Sequence, residues 1–331
     1  MMFHKLRHKR AVGKGTKFLN AQILSGKYGL ACTGLSGEKK FSDQKGHLFC
    51  IYFMLNGLGS DLSELVRTIF ITRILSEEID GQWGYSPRAY YAGDDDNPYF
   101  VDADDTAFAL RSLRKMGVFN KTDAFDAYRV DTRLAQSTLP LFRTFISNSV
   151  SPQITASPSS NNNLMVHPEV NANLLQFFYG TDKEVLMNEL FITELQETNG
   201  LWPSYFYPVE FYGTYVFISL LNTYSVGVAA KQKAIEGIIQ TQKSDGSFGS
   251  SNDPLATAFA LRSLQIAGYY GEPLHKGIRF LLKKQKLSGC WMSNSEIWKF
   301  HHDDGDVWTA FDTNHILTTS MCLSVLRESI A

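Results

Sequence analysis

The sequence predicts an all-α protein, a single α/α barrel of about six helical hairpins. Three observations predict it. The octapeptide TAFALRSL occurs twice, at residues 106–113 and 257–264, an offset of 151. Turns that join glycine to an aromatic residue recur, and Gly200, Gly246 and Gly289 stand 46 and 43 residues apart. Strand signals are scarce. Spacing of roughly 40–50 residues marks stacked or closed helical arrays, and the offset of 151 holds three such units. Six hairpins can close into a ring whose inner helices line a cavity and whose outer helices support them.

From the N-terminus, residues 1–20 read as a basic arm carrying Lys5, Arg7, Lys9, Arg10, Lys14 and Lys17. No apolar stretch follows, so the arm is not a secretory signal; it is solvated or touches anionic lipid. Residues 21–331 form the barrel domain. The apolar run at 48–58 contains Asn56 and Gly57 and is too short for a bilayer span. DGQWGYS at 80–86 is the first glycine-aromatic turn. In the first octapeptide Ala107, Leu110 and Leu113 share one helical stripe, and Gly117 is its C-cap. Residues 186–197 read as helix, followed by the turn NGLWPS at 199–204. A helix at 235–242 leads to the turn DGSFGSS at 245–251 and the second octapeptide, capped by Gly268. A helix at 277–285 precedes the turn SGCWMS at 288–293.

Composition narrows the function classes. The chain has 331 residues, 44% apolar and 13% aromatic, with 32 basic and 33 acidic side chains for a net charge of -1. That balance excludes a typical nucleic-acid binder, and the aromatic content excludes a disordered chain. Cys32, Cys50, Cys290 and Cys322 form no C-x-x-C pair, so neither a zinc ribbon nor a disulfide framework is indicated. A reducing, cytoplasmic compartment is expected.

The repeat supplies its own control. DADDTAFALRSL at 102–113 aligns with DPLATAFALRSL at 253–264, and the scaffold part is identical. Asp104 and Asp105 stand where the second copy has Leu255 and Ala256. Burying an ionised carboxyl costs several kcal/mol, so an unpaired one stays protonated. The acids Asp102, Asp104 and Asp105 admit two readings: helix-capping residues, or a carboxyl cluster with one member held neutral. The repeat favours the second. So does the connecting loop, which runs 22 residues from Asp80 to Asp102 against 8 from Asp245 to Asp253. It carries Tyr85, Tyr90, Tyr91, Tyr99 and Phe100, and long loops in compact domains are often functional. Asp94, Asp95 and Asp96 suit either Mg²⁺ or a solvated loop, and HHDDGD at 301–306 suits either a metal or a turn.

Together these motifs resemble the class II terpene cyclases, the group that contains squalene–hopene cyclase. DADDTA resembles that family's D-x-D-D-T-A motif. QTQKSDGSFG at 240–249 and KKQKLSGCW at 283–291 are similar to its QW repeats. HPEVNANLL at 167–175 resembles the helix that carries the partner of the catalytic Asp, and GLWPSYFYPVEFYGTY at 200–215 resembles its W-to-YGT stretch. The matches cover residues 80–291. The family usually has two barrels and this chain has length for one, so it looks like the single-domain cyclases of prenylated aromatic acids.

The resemblance implies that Asp104 is the proton donor and that Asp102 and Asp105 hold its geometry. It places Asn173 where squalene cyclases have a His, with Asn171 as alternate; an Asn acts only by hydrogen bonding. It implies a protonation-initiated carbocation cascade on a linear isoprenoid, ended by deprotonation. Aromatic faces would stabilise the cations, with Trp202, Phe206, Tyr212, Trp298, Trp308 and Phe311 as candidates. His315 lies four residues beyond Phe311, on the same face if the segment is helical, and is either a terminating base or a satisfied polar residue. No cofactor is implied, Mg²⁺ entering only with a diphosphate substrate, for which Arg88 and Lys243 are the available cations. The partner is a hydrophobic isoprenoid, with peripheral membrane contact through the basic arm; oligomeric state stays open. Alternatives are a cyclase of a free prenyl diphosphate, a zinc-dependent protein prenyltransferase-like subunit, and a non-catalytic isoprenoid-binding barrel.

Overall fold

A computed structural model describes residues 2–33, 41–42, 47–84, 101–118, 142–144, 167–181, 194–250, 252–301 and 307–329. Among them are ten α-helices: α1 (Met2–Leu24), α2 (Leu48–Leu58), α3 (Glu64–Ser76), α4 (Ala103–Lys115), α5 (Pro168–Phe178), α6 (Tyr212–Thr223), α7 (Val228–Gln240), α8 (Pro254–Ile266), α9 (Glu272–Lys284) and α10 (Ile316–Glu328). Six of them close a ring. Helix α2 packs on α4, α4 on α5, α5 on α6, α6 on α8, α8 on α10, and α10 returns to α2. The ring helices bury nearly all their side chains; in α2 only Asn56 escapes. A helix apolar on every side has no face to give to water and goes inside. Helices α1, α3, α7 and α9 lie outside the ring. In α9 the buried Leu274, Ile278 and Leu281 form one stripe, while Lys283 and Lys284 sit in its last turn.

One turn design fastens the outer layer to the inner. The Gln196 amide donates to the carbonyls of Gly200 (2.8 Å) and Ala230 (2.9 Å). Gln242 donates likewise to Gly246 (3.2 Å) and Pro273 (2.7 Å), and Gln285 to Gly289 and Ala11 (2.9 Å each). The aromatic residue two positions after each of these glycines gives its backbone N–H to a threonine on an inner helix: Trp202 to Thr214, Phe248 to Thr257, Trp291 to Thr319. Trp83 bonds Thr106 in the same way. The three glycines have φ of +87°, +92° and +99°. A Cβ there would run into the carbonyls of Lys233, Lys276 and Lys14 respectively, so both the backbone angle and the close approach require glycine.

That pattern corrects the expectation of a basic arm. Helix α1 does for the third turn what α7 and α9 do for the others. Its Ala11, Val12, Leu19 and Ile23 are buried, it packs on α10, and Gly15 sits close against Leu323 and Trp291. The apolar positions recur every four residues, and the intervening Lys and Arg residues mask that stripe in the sequence.

A second difference concerns strands. A four-stranded sheet joins β1 (Ala31–Thr33), β2 (Phe41–Ser42), β3 (Glu296–His301) and β4 (Val307–Phe311) in the order β2-β1-β4-β3, all antiparallel. Trp308 and Phe311 are therefore on a strand, and His315 adopts a left-handed conformation (φ 59°) ahead of α10. The helical face proposed for Phe311 and His315 does not exist. Most of the helix expected at 186–197, and all of the aromatic loop at 85–100, lie outside the described residues. Among the described residues no helix is long and apolar enough to cross a membrane.

Replacing Gly289 by Ala should lower stability by about 2 kcal/mol or more, the order expected for strain at a forbidden φ. Gly13, on α1, has open space around it, so Gly13→Ala should be neutral or stabilise by up to about 1 kcal/mol. Urea midpoints at unchanged slope measure both. Equal midpoints for Gly289→Ala and the parent would show that α1 is not wedged against this turn.

Candidate active site

Helix α4 needs one acid to start. Asp102 is its N-cap, and its side chain accepts the backbone N–H of Asp105 at 2.7 Å. Asp253 does the same for α8, accepting from Leu255 (2.7 Å) and Ala256 (3.1 Å). The two repeats therefore superpose in function as well as in sequence, and capping accounts for the first acid alone. Asp104 and Asp105 occupy inner-helix positions at which α8 buries Leu255 and Ala256; they are 4% and 3% exposed.

Asp104 receives two hydrogen bonds, one per oxygen. Asn173 on α5 donates Nδ2 to Oδ1 at 2.8 Å, and the Tyr207 hydroxyl donates to Oδ2 at 2.7 Å. Burial pushes the Asp104 carboxyl up to about 7; the Tyr207 and Asn173 bonds pull it down, and the nearby Asp102 and Glu169 push it up. Burial, then the charges of Asp102 and Asp104, hold Asp105 well above the usual carboxylate range. Its Oδ1 is buried without a partner. Burial and the charge of Asp104 also push the Tyr207 and Tyr212 phenols up, so Tyr207 remains a donor.

The two donors are held in turn. The Oδ1 of Asn173 accepts from Arg111 Nη1 at 3.3 Å, Arg111 Nη2 donates to Gln176 at 3.0 Å, and the guanidinium lies 4.6 Å from the Tyr52 ring centre. A fixed cation thus sits behind the amide that faces Asp104. The loop bearing Tyr207 is pinned by the buried Glu169, whose Oε1 accepts from the N–H groups of Tyr205 (2.8 Å) and Phe206 (2.9 Å) and from the Ser204 hydroxyl (3.1 Å). His167 shares a 2.7 Å hydrogen bond with Thr144 and stacks on Tyr205; burial lowers it to about 4, so it is neutral at physiological pH. Asn171 bonds both backbone groups of Phe142 and the His167 carbonyl. Its capacity is spent on the scaffold, which leaves Asn173 as the partner of Asp104.

Aromatic rings from four inner helices gather beside Asp104. Phe49 and Phe53 come from α2, Phe108 from α4, Tyr212 and Tyr215 from α6, and Phe259 from α8. Ring centres lie 5.2 Å apart for Phe49 and Tyr207, 4.2 Å for Tyr207 and Tyr212, 5.5 Å for Tyr212 and Phe259, and 6.0 Å for Phe53 and Phe259. Of the substrate-binding candidates read from sequence, Tyr212 belongs to this group. Trp202 takes the turn position that Trp83, Phe248 and Trp291 take elsewhere and stacks on Phe217, which explains it without a substrate. Phe206 packs on His167 and Tyr205. The sheet carries Trp298, Trp308 and Phe311, and the Trp308 side chain lies outside the described residues. His315 caps no N–H with its side chain, and its Nδ1 is buried without a partner beside α10.

Sequence reasoning passed over Phe49, Phe53, Phe108, Phe259 and the hydroxyl of Tyr207. Phe108 and Phe259 share one position of the octapeptide, and that recurrence was a usable signal. Asp94, Asp95, Asp96, Arg88 and residues 302–306 lie outside the described residues. Among the described residues no group of three or more His, Cys, Asp and Glu side chains is arranged to hold a metal ion.

Fold and site together define a helical toroid with a carboxylic acid centre at the start of an inner helix. The family model of the squalene-hopene cyclase C-terminal domain matches residues 87–297. The chain belongs to that family, the class II terpene cyclases. Its fold is similar to that of a variant of the type II terpene cyclase MstE from Scytonema in complex with geranylgeranyl dihydroxybenzoate (TM-score 0.71, 15% identity, covering 100% of this chain and 99% of that one). Another MstE variant, with merosterolic acid A as product, gives a TM-score of 0.69 at 16% identity, covering 100% and 99%. Candida albicans protein geranylgeranyltransferase-I gives 0.56 at 16% identity, covering 96% and 91%. No curated protein sequence matches.

The pH dependence of stability follows from Asp104. Its folded pKa, about 7, lies above the ordinary 3.8, so the fold favours the protonated form. That contribution is present below pH ~4 and is lost as pH rises through about 7. Asp104→Asn should therefore gain stability relative to the parent between pH 4 and 8, by up to about 4 kcal/mol. Thermal unfolding across that range measures the gap. A gap independent of pH would mean that Asp104 ionises as it does in water.

Proposed function

We propose that the chain cyclises a linear polyprenyl substrate, a prenylated aromatic acid with a farnesyl or geranylgeranyl chain, by protonating its terminal alkene. The observation that carries this reading is the buried Asp104 carboxyl, neutral enough to give a proton and provided with two donors for the base it leaves. Asp104 transfers its proton to the alkene carbon. Asn173, backed by Arg111, and Tyr207 then hold the carboxylate through charge-assisted hydrogen bonds. Asp102 caps the helix and fixes the register of the triad, and Asp105, kept neutral, spares Asp104 a second negative neighbour. The resulting cation is consumed by each successive double bond as the rings close. Loss of a proton ends the cascade, and Asp104 regains one from solvent, so the reaction is an isomerisation.

The aromatic walls support the same reading. Phe49, Phe53, Phe108 and Phe259, grouped with Tyr207 and Tyr212, would stabilise a cation at their ring faces and supply no nucleophile to trap it, roughly 0.5–2 kcal/mol per contact. A dry interior keeps water from capturing the cation early. The proton comes from the chain's own carboxyl, so this step calls on no cofactor. The likeness to MstE, whose complexes hold geranylgeranyl dihydroxybenzoate and merosterolic acid A, supports the choice of a prenylated aromatic acid. The exposed Arg7, Arg10 and Lys17 beside the exposed Leu6 on α1 support transient contact with an anionic membrane surface in the cytoplasm, where so apolar a substrate resides.

Incubation with geranylgeranyl dihydroxybenzoate and mass and NMR analysis of the products provides the test. Asp104→Asn should reduce cyclised product by about a thousandfold, within the range for loss of a general acid. Tyr207→Phe should lower kcat roughly 10- to 100-fold with unchanged melting behaviour, the value of one hydrogen bond to a charge. Full turnover by Asp104→Asn would overturn the reading.

A further inference from the structure

The repeat that exposes the acids conceals a cation. Arg111 and Arg262 occupy the same octapeptide position, and identical residues in a repeat ask only for a scaffold role. The structure uses them differently. Arg262 on α8 gives Nη1 to Glu328 at 3.2 Å and to Gln265 at 3.3 Å, an ion pair partly open to water. Arg111 on α4 meets no carboxylate among the described residues. Its partners are two amide oxygens, Asn173 Oδ1 at 3.3 Å and Gln176 Oε1 at 3.0 Å, and the Tyr52 ring.

Position explains the difference. Asp104 and Arg111 are seven residues apart, two turns along one face of α4. Asn173 and Gln176 are three apart on α5, which packs on α4. Arg111 sits between the two amides and only donates, so each amide turns its oxygen to the cation and its NH2 group away. The Gln176 NH2 group reaches the carbonyls of Ala172 (3.2 Å) and Val216 (3.4 Å). The Asn173 NH2 group reaches Asp104 at 2.8 Å. An Asn amide and its reversed form have nearly the same shape. Packing alone does not choose between them, and the cation does.

The direction of that amide matters to an acid. An amide that donates favours the carboxylate; one that accepts would bond the proton of the neutral acid and keep it in place. We propose that Arg111 is a positioning residue of the acid centre, a donor-only lock that fixes the Asn173 amide with its NH2 group toward Asp104, and that Gln176 holds Arg111 in that place. The inference rests on the proposed cyclisation, which is what requires an acid that lets its proton go.

The test reads Asp104 apart from turnover. Arg111→Gln puts in a group that accepts as well as donates and releases the lock; Arg111→Lys keeps a group that only donates. The titratable groups around Asp104 (Asp102, Asp105, Glu169, Tyr207 and Tyr212) stay the same in both. In each background, thermal unfolding against pH compares the Asp104→Asn protein with its own parent. The stability gap grows as pH rises and levels off at the Asp104 pKa, about 7 with the lock in place. Arg111→Gln should raise that levelling point by roughly one unit. Arg111→Lys should leave most of it in place, and Arg262→Gln, the same change in the other repeat, all of it. With geranylgeranyl dihydroxybenzoate, Arg111→Gln should lower kcat about tenfold at unchanged KM. Because the lock acts through Asn173, Arg111→Gln should add nothing to either reading once Asn173→Ala is present. An unmoved levelling point, a shift as large with Arg111→Lys as with Arg111→Gln, or an undiminished effect in the Asn173→Ala protein would overturn the inference. A raised levelling point without any cyclised product in the parent would remove the cyclisation and keep the lock. Product with an unmoved levelling point would do the reverse.

Discussion

An aspartic acid enclosed by apolar helices is the constraint from which the rest of the architecture follows. Water solvates a carboxylate far better than a protein interior does, so enclosure favours the neutral acid. Enclosure alone would make a carboxyl that never lets its proton go. The site answers with donors on both oxygens of Asp104, Asn173 on one side and Tyr207 on the other. These bonds stabilise the base after the proton has left and weaken the hold of the acid on it. Burial and donation pull in opposite directions, and their balance places the group near neutrality rather than at either extreme.

Such a balance needs donors that cannot wander, and the scaffold supplies that stiffness. Asn173 is fixed on an inner helix and gripped by Arg111; Tyr207 rides on a loop whose backbone is tied to the buried Glu169. Behind them the ring is laced by the Gln–Gly–aromatic turns, each joining an outer helix, a turn and an inner helix through hydrogen bonds at both ends. Helix α1 completes this lacing at the last turn. Supporting shells of this kind hold a reacting group within the narrow tolerance that catalysis requires.

The acid triad was legible in the sequence because the protein repeats itself. One octapeptide appears in two inner helices, and the contrast between Asp104 and Leu255 isolates what the scaffold does not need. The glycine-aromatic period revealed the ring for the same reason. What escaped notice lacked an internal comparison. Helix α1 hides a four-residue apolar stripe among lysines and arginines, so composition read it as an arm. The rings from α2 lie in an apolar run that periodicity reads only as buried, and no local pattern says which buried rings gather beside the acid. Strand β4 is five residues long, its partners β1 and β3 come from opposite ends of the chain, and only tertiary pairing separates it from a short helix. The hydroxyl of Tyr207 meets Asp104 across 103 residues of sequence, a contact that no local spacing encodes.

Helix α4 carries opposite charge at its two ends. Its N-terminal turn holds the acids and its C-terminal turn holds Arg114 and Lys115. A helix carries a partial positive charge at its N-terminus and a partial negative one at its C-terminus. The first favours negative charge on the acids of the first turn; the second favours Arg114 and Lys115. An anionic group placed at the acid end would meet Asp102, Asp104 and Glu169 and raise the acid further, so that the proton would not leave. One helix therefore keeps the acid centre and the basic side chains of its last turn a helix length apart.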